Sequence, residues 1–160
     1  ANIDVVGSAE AIPFPDQFFD SVVCTQVLEH LRKPAIAIKE IGRVLKTGGI
    51  CLLTVPQLNE LHEEPNDFWR YTKFGLAELA SQANLEILFC EARGGFFSSI
   101  AQLKIRYLFD RFKLHQRSWA KFLTKPLAIY GRFMIFLDSL DKSQANRKHT
   151  LGWCVILKKN

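Results

Sequence analysis

The sequence predicts an α/β fold built on a mostly parallel sheet. Three observations carry that expectation. Apolar runs at residues 19–25, 50–55 and 85–90 are continuous rather than alternating, as in strands buried on both faces. Stretches near helical period separate them. The connections are short, so strand, helix and strand follow one another as in βαβ units.

Residues 3–6 read as the first strand. The chain starts with Ala and enters this strand with no cap or leader before it, which suggests a piece of a longer protein. Residues 19–25 give the second strand. Pro34 opens a helix in its first turn, where a missing N–H costs nothing. Ile36, Ile38, Ile41, Val44 and Leu45 are its apolar positions, and Gly48-Gly49 is expected to end it with a positive φ. Residues 50–55 follow as a strand stopped by Pro56. A loop at 57–72, a helix near 73–83 and a strand at 85–90 complete a second unit, which Gly94-Gly95 breaks. Residues 97–141 read as helical and are divided by Pro126. Beyond it, Leu127, Tyr130, Phe133, Met134, Leu137 and Leu140 form one stripe. A polar stretch then leads to a last strand at 151–157. The expected division is a sheet core at 1–96, a helical insertion or lid at 97–149, and the last strand within 150–160.

Composition bounds the function classes. Of 160 residues, 48% are hydrophobic and 13 are Phe, enough for a core and against global disorder. Cys24, Cys51, Cys90 and Cys154 form no CxxC pair, so buried reduced thiols are expected rather than a zinc or redox motif. No run approaches the ~18 apolar residues of a spanning helix and no secretory leader is visible, which makes a cytoplasmic location the expectation. Charge is unevenly spread. Residues 1–95 carry 8 Lys and Arg against 13 Asp and Glu; residues 96–160 carry 13 against 3.

In open α/β sheets, ligands sit outside the carboxyl ends of the strands. Three such ends are polar here: Gly7-Ser8-Ala9-Glu10, Thr25-Gln26-Val27-Leu28-Glu29-His30, and the loop from Pro56 to His62. The segment GSAEAIPFPDQFFDSVVCTQVLEHL resembles the middle of the type 11 methyltransferase domain. EIGRVLKTGGICLLTVP resembles that family's next block, and DFWRYTKFGLAELASQANLEI a later one. The matches fall in the family's order across residues 3–95. The resemblance implies a class I S-adenosylmethionine-dependent methyltransferase with a Rossmann-like sheet, truncated, whose last strand is antiparallel and lies beside the fifth. The family's Gly-rich cofactor loop and the acidic residue after its second strand have no counterpart in the sequence. Gly48-Gly49 and Gly94-Gly95 do not form GxGxxG between strand and helix and read as turns. These residues alone are therefore expected to bind the cofactor weakly or not at all.

The resemblance places Ser8, Ala9 and Glu10 against the cofactor's adenine, with Ser8 where the family often has Asp. It places Thr25, Gln26 and Val27 under the sulfonium, with Leu28 packing nearby. His30 is the candidate catalytic residue, as a general base suited to neutral pH, though it may instead serve structure. His62, Arg70 and Tyr71 are candidates for the acceptor side. Arg70 is equally suited to grip an acidic acceptor or to pair with Glu63, Glu64 or Asp67. No metal-ligand spacing is evident, since His62-Glu63-Glu64 are adjacent, and no metal is expected.

Lys104, Arg106, Arg111, Lys113, Arg117, Lys121, Lys125 and Arg132 lie among Tyr107, Phe109, Phe112, Trp119, Phe122 and Tyr130. Three readings stay open: a helical lid with solvated cations, a peripheral membrane contact through 97–141, and a nucleic-acid patch, ranked last because no recognised motif accompanies it. The sequence thus points to methyl transfer onto a small-molecule or lipid-linked acceptor. The alternative is a non-catalytic binding or scaffold module that kept the fold.

Overall fold

The computed structural model describes residues 4–160. Residue 3 of the expected first strand lies outside them. Residues 4–6 form no strand, and Val5 and Val6 are exposed, because no neighbouring strand among the described residues offers them a ladder.

Four strands make one sheet in the order β1-β2-β4-β3: β1 (Phe19–Thr25), β2 (Leu45–Pro56), β3 (Leu85–Arg93) and β4 (Gly152–Lys159). β1 and β2 are parallel, with Ser21 opposite Ile50 and Thr25 opposite Thr54. β4 runs the other way. At its start, Trp153 Nε1 donates to Gln57 Oε1 just beyond the end of β2, at 2.9 Å. At its finish, Lys159 Nζ donates to the Leu45 carbonyl where β2 begins, at 2.7 Å. The expected architecture, parallel strands with a reversed last strand inserted beside the earlier pair, is the one observed.

α1 (Pro34–Val44) follows β1 and packs against β2. Ala37, Ile38, Ile41 and Val44 are buried at helical spacing. Ile36, expected in that stripe, is exposed, because two residues of helix turn it roughly 200° from Ile38. The helix also stops earlier than expected. Leu45 leaves helical geometry at φ −70°, ψ 139° and is fully buried opposite Phe19 in the sheet. Gly48, at φ +77°, therefore serves β2 instead, within the irregularity that shifts register between Phe19 and Ser21. α2 (Lys73–Gln82) lies beside α1. Thr72 caps it by accepting from the Gly75 N–H at 3.1 Å.

The continuous apolar strands are not buried on both faces, contrary to expectation. In β2, Cys51, Leu53 and Val55 are buried, while Ile50 and Leu52 are exposed; Val23 of β1, opposite Leu52, is 69% exposed. Among the described residues, only one face of this strand pair is covered. Cys24 and Cys51 sit on the covered face, and burial pushes their thiols up to about 11 and about 12.

The chain divides into two compact units. The first runs to Gln57 and continues with Leu61–Glu91 and Trp153–Asn160; it holds most of the sheet, α1 and α2. The second comprises Leu58–Glu60 and Ala92–Gly152. It contains α3 (Phe96–Arg111), α4 (Thr124–Leu140) and the short α5 (Gln144–Lys148), with 3-10 turns between α3 and α4. Pro126 lies in the first turn of α4, so it divides the segment by opening the second helix. Asp138 accepts from the N–H groups of Gly95, Phe97 and Ser98, and Asn146 Oδ1 accepts from Phe96, which closes the start of α3. No residue of α4 is fully buried. Leu127, Tyr130, Met134 and Leu137 are half-buried, while Phe133 and Leu140 of the expected stripe are exposed. No helix among the described residues is long and apolar enough to cross a membrane.

Candidate functional site

The carboxyl ends of β1 and β2 are joined at Gln26. Its N–H donates to the Thr54 carbonyl at 2.9 Å, and its side-chain amide donates to Thr54 Oγ1 at 3.2 Å. Its φ is +53°, a left-handed conformation that turns the chain out of the strand into a 3-10 turn, Leu28–His30. Thr25 and Gln26 are exposed and Val27 is half-buried. Leu28 is fully buried, so its side chain belongs to the core.

Ser8, Ala9 and Glu10 form a tight turn. Ser8 Oγ accepts from the Glu10 N–H at 3.1 Å, and Ser8 and Ala11 form a β-bridge. Glu10 Oε1 accepts from the Lys33 N–H at 3.0 Å, at the entry to α1. Arg43 fastens the rest of this loop, donating to the Ile12 and Phe14 carbonyls and pairing with Glu40 and Asp16. The structure thus brings the Ser8–Ala9–Glu10 turn to the N-terminal end of α1, the end of the sheet at which β1 delivers Thr25 and Gln26.

Behind that end lies a second group of side chains. Glu29 is 0% exposed, and neither of its carboxyl oxygens has a hydrogen-bond partner among the described residues. Burial pushes its carboxyl above the usual carboxylate range, with only partial relief from its backbone N–H and the nearby His30, His62 and Arg70. His30 Nδ1 lies 2.7 Å from the Asn66 carbonyl, and His30 Nε2 lies 3.9 Å from Glu29 Oε1. The rings of His30 and His62 meet edge to face, with centroids 4.9 Å apart. One ligand atom from each of Glu29, His30 and His62 falls within 4.8 Å of the others.

The loop carrying His62 is pinned by its backbone. Phe68 and Trp69 donate their N–H groups to the Glu29 carbonyl, Tyr71 donates to the Pro56 carbonyl, and Trp69 Nε1 donates to Leu31. Of the acids open to Arg70, the structure selects Asp67. Two parallel hydrogen bonds of 2.7 and 2.8 Å join them, and the Asp67 side chain is only 2% exposed. The Arg70 guanidinium holds that carboxyl well below the usual range. Asp67 Oδ2 also accepts from the His62 N–H and lies 3.4 Å from His62 Nδ1. Tyr71, expected to border an acceptor, is buried, and its hydroxyl donates to the Leu28 carbonyl at 2.9 Å. It braces the 3-10 turn from inside, and burial pushes its phenol up.

Sequence reasoning did not single out Glu29, and it named Asp67 only as one of three acids that could pair with Arg70. Glu29 did carry a signal: an acid directly after apolar Val27-Leu28 and two residues before Leu31, where an amphipathic turn would put an apolar side chain.

Residues 2–53 match the family model described as a methyltransferase domain. YafE of Escherichia coli K12 is 26% identical over 136 residues, covering 83% of this chain and 62% of YafE. The ubiquinone/menaquinone biosynthesis C-methyltransferase UbiE of Francisella philomiragia is 36% identical over 70 residues, covering 39% of this chain and 28% of UbiE. Among solved structures, the cyclase SpnF superposes with a TM-score of 0.60 at 24% identity, over 97% of this chain and 54% of SpnF. A methyltransferase-like protein of Bacillus halodurans C-125 gives 0.55 at 16% identity, over 96% and 69%. These superpositions show a shared fold. The chain spans less than two thirds of the length of the curated relatives it matches.

Proposed function

Starting from residues 2–53 as a stretch of class I S-adenosylmethionine-dependent methyltransferase domain on a methyltransferase-type fold, we propose that the whole protein transfers a methyl group to a small-molecule or lipid-linked acceptor. The observation that carries this reading is the coincidence of two things. The matched segment ends in β2, and within it Ser8–Ala9–Glu10 and Thr25–Gln26 converge on the carboxyl end of a sheet with a reversed last strand.

The residues present fit S-adenosylmethionine. Ser8 Oγ accepts one hydrogen bond from its own turn and keeps its proton to donate to an adenine nitrogen. Ala9 adds a small half-buried surface, and Glu10 fixes the turn against α1. Thr25 and Gln26 are exposed residues suited to face the sulfonium end, with Val27 half-buried beside them and Leu28 buried in the core. When bound, the cofactor supplies a methyl carbon already activated by positive sulfur. The protein's share is then to align the acceptor and exclude water. His30 is the group suited to take a proton from the acceptor. A carbonyl only accepts, so the Asn66 contact keeps the proton on Nδ1 and leaves the Nε2 lone pair free to act. Arg70, engaged with Asp67, orients His62 through that carboxylate.

The name of UbiE, among the relatives, directs attention to lipid-soluble acceptors. So does the second unit, where Ile129, Phe133, Ile135 and Phe136 of α4 are exposed among cations. The test is transfer of a radiolabelled methyl group from S-adenosylmethionine into lipid and water-soluble extracts. Label should enter one of them with the native protein and fall at least tenfold with Gln26→Trp. Label in neither, or equal label with the variant, contradicts the reading.

A further inference from the structure

We propose that Glu29, His30 and His62 form a site for one divalent transition-metal ion of the zinc type. The argument starts from Glu29. A fully buried carboxylate with no hydrogen-bond partner is costly unless a charge compensates it. No Lys or Arg makes an ion pair with it among the described residues. Two imidazoles stand in that place instead, and each is oriented like a ligand. The His30 Nδ1 proton is held by the Asn66 carbonyl at 2.7 Å, which directs the Nε2 lone pair toward the carboxylate. His62 Nδ1 faces Asp67, itself clamped by Arg70, which makes a carboxylate–histidine pair of the kind that supports metal-bound imidazole.

The ligand atoms lie within 4.8 Å of one another. Metal–ligand bonds of about 2.0–2.2 Å require them to draw together by roughly 1.5 Å. Two histidines and one carboxylate suit zinc, cobalt or manganese better than magnesium or calcium, which prefer oxygen alone. Three protein ligands leave a coordination position open, as in sites where a metal acts on a substrate. The ion would then take the His30 lone pair and assume its task. If the methyl-transfer reading holds, an acceptor hydroxyl bound at the open position loses its proton to solvent more readily, which makes a hydroxyl-bearing acceptor the favoured class.

The experiment measures metal binding without cofactor or acceptor, so its failure and that of the methyl-transfer reading are separable. Metal-free protein is titrated with cobalt(II) and followed by visible absorption, with zinc as competitor. One cobalt per chain is expected, with the spectrum of nitrogen and oxygen ligands, no thiolate band, and displacement by zinc. His62→Gln, at a partly exposed position, should weaken binding at least tenfold while keeping the fold by circular dichroism. Glu29→Gln should also weaken it at least tenfold, and without metal should melt no lower than the native protein, because it removes the uncompensated charge. Absence of stoichiometric binding by the native protein, a thiolate spectrum, or equal binding by folded His62→Gln overturns the proposal.

Discussion

Gln26 sits at φ +53°, where a side chain crowds its own backbone, and it closes the strand pair at the carboxyl end of β1 and β2. Gln26→Gly is expected to keep stability within about 1 kcal/mol, whereas Gln26→Val should lose about 1–2 kcal/mol more, since β-branched residues resist this conformation. Thermal denaturation measures the difference; equal melting of the two variants would show that the turn relaxes freely. The Arg70–Asp67 pair is the other residue whose role the structure decides. Arg70→Gln strands a nearly buried carboxylate and should cost roughly 3 kcal/mol, while the double variant Arg70→Gln/Asp67→Asn should recover much of that loss. Denaturant unfolding of the two variants checks it, and a double variant no more stable than the single one counts against a buried pair. The sequence left three acids open for Arg70, because residue types within one loop do not say which carboxylate the fold buries. It could not expose the Glu29–His30–His62 group, since proximity across a long loop is a property of the folded chain.

At the scale of elements, the strands and helices were legible wherever apolar period and punctuation agreed. Pro34 marks a helix start that the structure keeps, the helix expected near 73–83 begins at Lys73, and Pro126 divides the helical segment as expected. The end of α1 was misplaced because Gly48-Gly49 looks like a helix stop, while the burial of Leu45 in the sheet decides the matter first. The start of α3 was read to within a residue from the Gly94-Gly95 break, but its cap was not, because it comes from Asp138 of α4 and Asn146 of α5. Burial pushes the Asp138 carboxyl up, but hydrogen bonds from the Ser98 hydroxyl and from the N–H groups of Ser98, Phe97 and Gly95 outweigh it and leave it below the usual range. A carboxyl lowered by folding stabilises above its unfolded pKa and loses that contribution as pH falls through its folded value. Asp138→Asn should therefore cost roughly 2 kcal/mol at neutral pH. The gap to the native protein should narrow as pH drops below about 4. Urea unfolding across pH measures it; a gap that widens in acid contradicts the assignment.

For the whole molecule, the sequence showed an acidic stretch followed by a basic one, and the two compact units divide near that boundary. It did not show that α4 buries no residue completely, nor that one face of the β1–β2 pair is open, because apolar runs announce a need for burial without saying whether anything meets it. The exposed aromatics and cations of 97–141 predict flotation with vesicles rich in anionic lipid at low salt, and release at high salt. No flotation at low salt would remove the membrane contact from the account. The central claim, that the carboxyl end of β1 receives S-adenosylmethionine, is tested most directly by amide NMR of the isotope-labelled chain titrated with S-adenosylhomocysteine. Saturable shifts are expected at Ser8, Ala9, Glu10, Thr25, Gln26 and Val27, at concentrations on the order of 1 mM if binding is weak. Saturable shifts confined to other residues, such as 97–141, with none at those six, would contradict it.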